Sequence, residues 1–441
     1  MIRDHPRLIV LVCNKMSMID EDTLLKELVN KYTVSFPSFT PFTPPNISNR
    51  QPGAVVLLSG STGVYGTNIL AELSKSSFFR RAYAVSRPSA NGITVRERHV
   101  QAFKREGIDE ALLDNPKIRF LDADLSIEGF GMDAELFSEL QSTVTHIIHN
   151  GWQVKFNIPV KEFEENFRGV RNLVDFSLHS RDDPSDPEKI WPEELFEESD
   201  SALSTGYSQA KWVSERILAE AAKNTALRPT VVRVGQLVGG PDGNWSEHEW
   251  FAALIKTSIT LGMLPNVPGV IAWNTTHVAA RALLDILDSD ELCLNVDHPK
   301  PIAWETFITI FARKLELRIV NMEMWMGAVE REYQLAIARA VQPDGTLSRE
   351  IMRRTMKLFP ALRMHAFFRS ARDTSRGKPL GPGSHMSFTP RAHTEKAVKA
   401  SATLRDAKLS QIGEEDVGRW LAYWRRIGFL DATHLSEKSL L

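Results

Sequence analysis

The spacing of apolar residues divides the chain into three stretches. In 1–50, IDEDTLLKELVNKY sets Leu24, Leu25, Leu28, Val29 and Tyr32 on one stripe at helical spacing. FPSFTPFTPPNISNRQPG comes next, and its prolines and small polar residues mark a linker. From Gly53 the texture changes to short apolar runs separated by helical periods. AVVLLS (54–59), RAYAVSR (81–87), KIRFLDADL (117–125), VTHIIHN (144–150), TVVRVG (230–235) and LCLNV (292–296) read as strands. Alternation of strand and helix predicts a parallel, doubly wound α/β sheet over 51–298. After Pro299 the pattern is mostly helical, in IAWETFITIFARKL, EMWMGAVEREYQLAIARAV and EEDVGRWLAYWRRIGFL, so 299–441 is expected to form a smaller helical lobe. RDTSRGKPLGPGSHMSF (372–388) reads as an exposed connection.

Composition changes this picture little. A length of 441 residues, 43% hydrophobic and 24% charged, suits an ordinary globular protein of two or three domains. A net charge of −2 offers no whole-chain field for nucleic acid or an anionic membrane, so neither is expected as a partner. LIVLVC (8–13) is too short to cross a bilayer or to serve as a signal core, and no later run approaches about 20 apolar residues. Cys13 and Cys293 make neither a disulfide framework nor a zinc spacing, which points to a reducing cytoplasm. His146 and His149, three apart in a strand, face opposite sides and suit core roles or roles supporting a neighbouring site rather than a metal site; no metal is expected.

Chemistry first enters at Gly60. AVVLLS runs straight into GSTGVYG, with the spacing G-x-x-G-x-x-G, and then into the helix-like TNILAELSK. In that strand–turn–helix context Gly60, Ser61, Thr62, Gly63, Val64, Tyr65 and Gly66 form a cradle for a dinucleotide pyrophosphate. The second strand ends in Ser86-Arg87 with no acid, and Arg96 and Arg98 come soon after. An arginine there suits a 2′-phosphate, which favours NADPH over NADH; the plainer alternative is a solvated surface arginine. Asp122 and Asp124 close the third strand, where a carboxylate can accept from an adenine amino group. Asn150, at the end of the fourth, falls near the cofactor because ligands bind at strand C-termini.

GYSQAKW carries the second signal. Tyr207 and Lys211 are four apart and share a helix face. A phenol has a pKa near 10, and a neighbouring ammonium is expected to bring it down towards working range for protonating a carbonyl that accepts hydride. Tyr207 and Lys211 are therefore the expected catalytic pair, with Lys211 also reaching the nicotinamide ribose. Trp245, Trp250 and Trp273 line either an acyl pocket or the core. Trp420, Tyr423 and Trp424 read as core.

Taken in order, GSTGVYG, DADLS, HIIHNGWQVKFN, NFRGVRNLVDF, GYSQAKWVSERIL and VVRVGQLVGGPDGNW resemble the extended short-chain dehydrogenase/reductases. More narrowly, they resemble the thioester reductase domains of non-ribosomal-peptide-synthetase-like and carboxylic acid reductases, from about residue 20 to the closing GRWLAYWRRIGFL. The resemblance implies that NADPH reduces an acyl thioester on a carrier's phosphopantetheine arm and releases an aldehyde in secondary metabolism, the carrier acting in trans. It implies that Thr62 to Gly66 and Arg87 hold the cofactor, that Asp124 and Leu125 flank the adenine, and that Tyr207 protonates the oxyanion while Lys211 positions tyrosine and ribose. The helical 299–441 becomes the substrate- and carrier-docking region. His277 stands where relatives usually carry an acid.

One departure weighs against activity. The family places a fifth strand, ending in a serine or threonine, after the helix represented by GVRNLVDFSLHS. Here RDDPSDPEKIWPEELFEESDSALSTGY is acidic and proline-interrupted. The expected fold is thus a Rossmann-type sheet lacking one strand, and Ser177, Ser180 and Thr205 are weak substitutes for the absent hydroxyl. An impaired or inactive dinucleotide-binding protein is one alternative reading. An extended short-chain reductase acting on fatty acyl-CoA or a nucleotide-sugar is another.

Overall fold

A computed structural model describes residues 18–37, 53–155, 158–178, 195, 206–225, 227–342, 346–369, 372 and 393–430. Its elements in chain order begin with α1 (Met18–Thr33), β1 (Ala54–Ser59), α2 (Val64–Lys75), β2 (Phe79–Ser86), α3 (Val95–Arg105), β3 (Ile118–Asp122), α4 (Ala134–Thr143), β4 (His146–His149), α5 (Glu164–Leu178), α6 (Gly206–Asn224) and β5 (Val231–Val234).

β1 is buried along its whole length, as a strand covered on both faces must be, and its continuous apolar run reflects that. It pairs in parallel with β2 on one side and β4 on the other, and β3 extends the sheet to the order β3-β2-β1-β4. Strand order reverses between β1 and β4, which opens a crevice at their C-terminal ends. Leu70, Leu73 and Phe103 pack one face together with Leu283 of the helix Thr276–Asp285. Phe130, Leu140, Leu173 and Phe176 fill the other. Among the described residues no strand pairs with the outer edge of β4; β5 pairs instead with Cys293–Val296 as a separate parallel ladder. The stretch that would hold the fifth strand, 179–194 with 196–205, lies outside the described residues, as do Ser180 and Thr205. Ser177 is described, and its hydroxyl donates to the Leu173 carbonyl within α5 rather than standing at a strand end.

Burial adds two features to the organisation read from the sequence. The N-terminal helix forms as the stripe predicts, and its stripe is covered by the domain that follows. Leu25, Leu28 and Tyr32 are buried against Phe167 and Val170 of α5 and against Ala210, Val213 and Ile217 of α6. Arg171 fastens the end of α1 and the residues just beyond it. It donates to the carbonyls of Tyr32, Val34 and Ser35 while its guanidinium lies 4.7 Å from the Phe36 ring. Burial also joins elements across residue 298. The helical lobe takes the earlier helix Trp250–Leu261 into its core, and Ala397 and Leu404 return to the sheet's core. A count of elements places a single boundary there, whereas burial divides the chain by which apolar face each element covers.

Trp245 and Trp273 prove to be lobe core, at 3% and 2% exposure, in an aromatic cluster with Phe251, Phe307, Trp420 and Trp424. Trp250 is half-buried and donates to Gln236. No described helix is long and apolar enough to cross a membrane.

Candidate functional site

The glycine turn sits where β1 ends. Gly60 has φ +66°, and a Cβ there would lie 2.6 Å from the Gly151 nitrogen. A Cβ on Gly66 would lie 2.1 Å from the Gly60 carbonyl oxygen. Gly63 N donates to Gly60 O at 3.1 Å and caps α2 with no side-chain hydrogen bond, leaving the helix's opening N–H groups to a ligand. Thr62 is half-buried, Gly63 and Val64 are exposed, and Arg105 ties the turn down by donating to the Thr62 carbonyl at 2.9 Å. A turn that excludes side chains at Gly60 and Gly66 beside a free helix N-terminus fits a dinucleotide pyrophosphate.

Two members of the turn point elsewhere with their side chains. The Ser61 hydroxyl is fully buried, donating to Val85 O at 3.1 Å and lying 2.8 Å from His99 Nε2. The Tyr65 hydroxyl donates to Ala279 O at 2.9 Å, pinning α2 to the helix Thr276–Asp285, and burial pushes its pKa up.

The basic residues after β2 part company. Arg87 stays exposed, its guanidinium 3.9 Å from Glu165. Arg98 bonds the Arg87 carbonyl and pairs with Asp122, and Arg96 pairs with Asp114. Asp122 is thereby engaged. Asp124 accepts from the backbone and hydroxyl of Ser126, closing a small turn. Leu125 packs into the core, and its carbonyl accepts from Asn172 at 2.8 Å. Asn150 Nδ2 donates to Gly60 O at 3.2 Å and so joins the end of β4 to the glycine turn.

Tyr207 and Lys211 occupy the first two turns of α6. A Cβ on Gly206 would lie 2.0 Å from Ile158 O, so the helix begins hard against the Ile158–Pro159 backbone. The Tyr207 ring meets Phe163 edge-on at 6.4 Å. The Lys211 ammonium is 5.6 Å from the Tyr207 ring centroid but only 3.9 Å from that of Trp152. The expectation that the lysine brings the phenol pKa down is not met. Burial pushes Tyr207 up, and it lowers Lys211 to about 8 despite the favourable field of Glu215. Glu215 is itself held by Arg233, with contacts of 2.6 and 3.0 Å.

Of two further residues near the pair, His149 was read only for a core or supporting role, and Trp152 escaped the sequence reading. His149 Nδ1 lies 2.8 Å from Ser59 Oγ, which also accepts from Gly151 N at 3.2 Å. Burial and the Lys211 charge lower His149 to about 4, so it is neutral at neutral pH. Trp152 stacks on Phe163 and meets His149 edge-on. Position two past Asn150 was the available signal, since that segment borders the strand's C-terminal end.

Fold and glycine cradle together define a Rossmann-type dinucleotide-binding domain. Residues 58–290, more than half of the chain, match the NAD-binding family described as male sterility protein, and the chain belongs to that family. Its cofactor is accordingly a nicotinamide dinucleotide. The chain is 34% identical over 435 residues to the adenylate-forming reductase Nps10 of Heterobasidion annosum, covering 95% of this chain and 38% of that protein. It is 29% identical over 354 residues to a carboxylic acid reductase of Neurospora crassa, covering 73% and 32%. It thus spans roughly a third of the length of these relatives. In fold it is similar to the terminal R domain of the myxalamid PKS-NRPS biosynthetic pathway, with a TM-score of 0.67, 19% identity, and coverage of 93% of this chain and 99% of that one. A thiolation-reductase di-domain from an archaeal non-ribosomal peptide synthetase gives 0.62 at 16% identity, covering 93% and 81%.

Proposed function

We propose that this chain reduces an acyl thioester, presented on the phosphopantetheine arm of a carrier, to an aldehyde with NADPH. The observation that carries this is a junction. Lys211 meets Trp152, two residues beyond the Asn150 that bonds the glycine turn, so the tyrosine–lysine pair lies beside the dinucleotide cradle. Bound NADPH supplies hydride to the thioester carbonyl carbon. The Tyr207 hydroxyl donates its proton to the developing oxyanion; burial keeps that phenol protonated at neutral pH, which suits a proton donor. Lys211, charged below about pH 8, stabilises the tyrosinate left behind and binds the nicotinamide ribose. The resulting hemithioacetal breaks its C–S bond, its hydroxyl proton passing to the departing thiolate to give aldehyde and free thiol, and the Tyr207 phenolate takes a proton from solvent. Thr62 and the backbone of residues 60–66 hold the pyrophosphate, Asp124 and Leu125 border the adenine, Asn150 orders the turn, and exposed Arg87 takes the 2′-phosphate. The carrier acts in trans or from a neighbouring domain.

The test is consumption of NADPH by the full chain with an acyl-phosphopantetheine carrier. Turnover is expected, and Tyr207→Phe should lower it by about 10²–10⁴-fold. Arg87→Ala should weaken NADPH and leave NADH binding unchanged. NADPH binding without turnover of any thioester would overturn the proposal in favour of an inactive protein. Turnover of acyl-CoA or a nucleotide-sugar alone would overturn the carrier.

A further inference from the structure

We propose that Trp152 is a positioning residue for Lys211, its indole face holding the lysine ammonium beside Tyr207. The inference rests on the thioester-reductase proposal for its importance to catalysis, though the contact itself does not.

Lys211 Nζ lies 3.9 Å from the centroid of the indole, close enough for the negative face of the ring to attract the charge. Among the described residues Lys211 forms no ion pair; Glu215, one turn further along α6, is taken up by Arg233. An ammonium drawn out of water needs a compensating field, and a π face gains strength under the same desolvation that weakens the ammonium's hydration. The indole is fixed for this task. Phe163 stacks on it at 6.3 Å with 19° between planes, and His149 meets it edge-on at 6.5 Å and 72°. Phe163 also meets Tyr207, so three aromatic rings join the lysine's cradle to the phenol. His149 adds no opposing charge, since its Nδ1 is held by Ser59 and the ring is neutral at neutral pH. The Trp152 Nε1 is buried with no hydrogen-bond partner among the described residues, so no hydrogen bond to that nitrogen explains the ring's orientation. The same tryptophan, just past Asn150 and Gly151, connects the lysine to the glycine turn through the Gly151 N–H on Ser59.

Groups facing Lys211 are Tyr207 and Glu215 from its own helix, His149 from β4, and Arg233 from β5 behind Glu215. None of them is itself substituted when the indole is altered, and ring fluorination also keeps the shape of the contacts with Phe163 and His149. The experiment therefore replaces Trp152 in the full chain with Phe, with Leu, and with tryptophans carrying increasing numbers of ring fluorines. Fluorination drains the π face at nearly constant shape. Lysine side-chain NMR, with the Lys211 signal assigned from Lys211→Arg, should show its methylenes shifted upfield by the indole ring current. The Lys211 titration midpoint should fall stepwise with fluorine number, by about one pH unit in all for Trp152→Leu. Thioester turnover should drop about tenfold in Trp152→Leu, fall along the fluorine series, and be largely restored in Trp152→Phe. An unshifted Lys211 signal in the unaltered protein, or a midpoint indifferent to fluorination, overturns the proposal. Shifted signals with a fluorine-dependent midpoint but no thioester turnover uphold the positioning of Lys211 and sink the thioester reading alone.

Discussion

Gly66 shows how a single residue sets the cradle. An added methyl would sit 2.1 Å from the Gly60 carbonyl oxygen, so Gly66→Ala must push the turn open. Dinucleotide affinity should fall at least about tenfold, read by quenching or enhancement of reduced-nicotinamide fluorescence; unchanged binding would remove the turn from the site. Ser61, five residues earlier, behaves differently. Its hydroxyl serves Val85 and His99 in the interior, so Ser61→Ala should cost about 1–3 kcal/mol of stability in denaturant unfolding while affinity changes little. Both residues were legible in GSTGVYG as parts of a tight turn between strand and helix. The motif fixes backbone path, however, and says nothing about which way Ser61 or Tyr65 turns, because that depends on strands far away in sequence. The same limit hid Trp152 and reversed the expected direction for Tyr207: the spacing of tyrosine and lysine gives a shared face, but only the packed structure gives desolvation and the lysine's nearer neighbour.

Among the elements, α1 was plain as a helix and invisible as a support. Its apolar stripe announces that one face is covered, while periodicity cannot say by what. The partner is α6, whose first turns bear Tyr207 and Lys211, with α5 beside it. Leu25→Ala, at a fully buried position, should destabilise the fold by about 2–5 kcal/mol in urea unfolding, and loss below about 0.5 kcal/mol would mean the docking is peripheral. Gly206 was overlooked as a glycine with a task. Its contact with Ile158 leaves no room for a Cβ, so Gly206→Ala should displace the start of α6 and reduce turnover more than cofactor affinity. β1 and most of β2 were readable as buried apolar runs, whereas β3 and β4, partly exposed and carrying Arg119, His146 and His149, were readable from the alternation of strand and helix around them. Their order was fixed only by pairing.

For the molecule as a whole, buried histidines govern the response to acid. His149 and His277 are both lowered to about 4 by burial from an ordinary 6.5, and His99 and His298 are lowered too. Between pH 6.5 and 4 the unfolded chain takes up protons that the folded chain refuses, so stability falls as pH drops, by about 1.4 kcal/mol per unit of difference for each fully shifted group. Asp297 opposes this. Burial raises it to about 6 from 3.8, and its protonation favours the folded state as pH falls through that interval. The loss should therefore be steepest just below pH 6.5. Urea midpoints from pH 7 to 5 should show it, with a shallower slope in His277→Gln; an identical slope would clear that histidine. The two-lobed plan was legible from the change of periodicity near Pro299, but not the exchange of elements across it, which has no local signature. That exchange bears on how the protein comes apart. The helix Trp250–Leu261 belongs to one core and the residues around Ala397 and Leu404 to the other, so the polypeptide passes between them repeatedly. A protease that nicks one crossing releases neither portion: the fragments stay interlocked, migrate together without denaturant, and separate only when both cores melt.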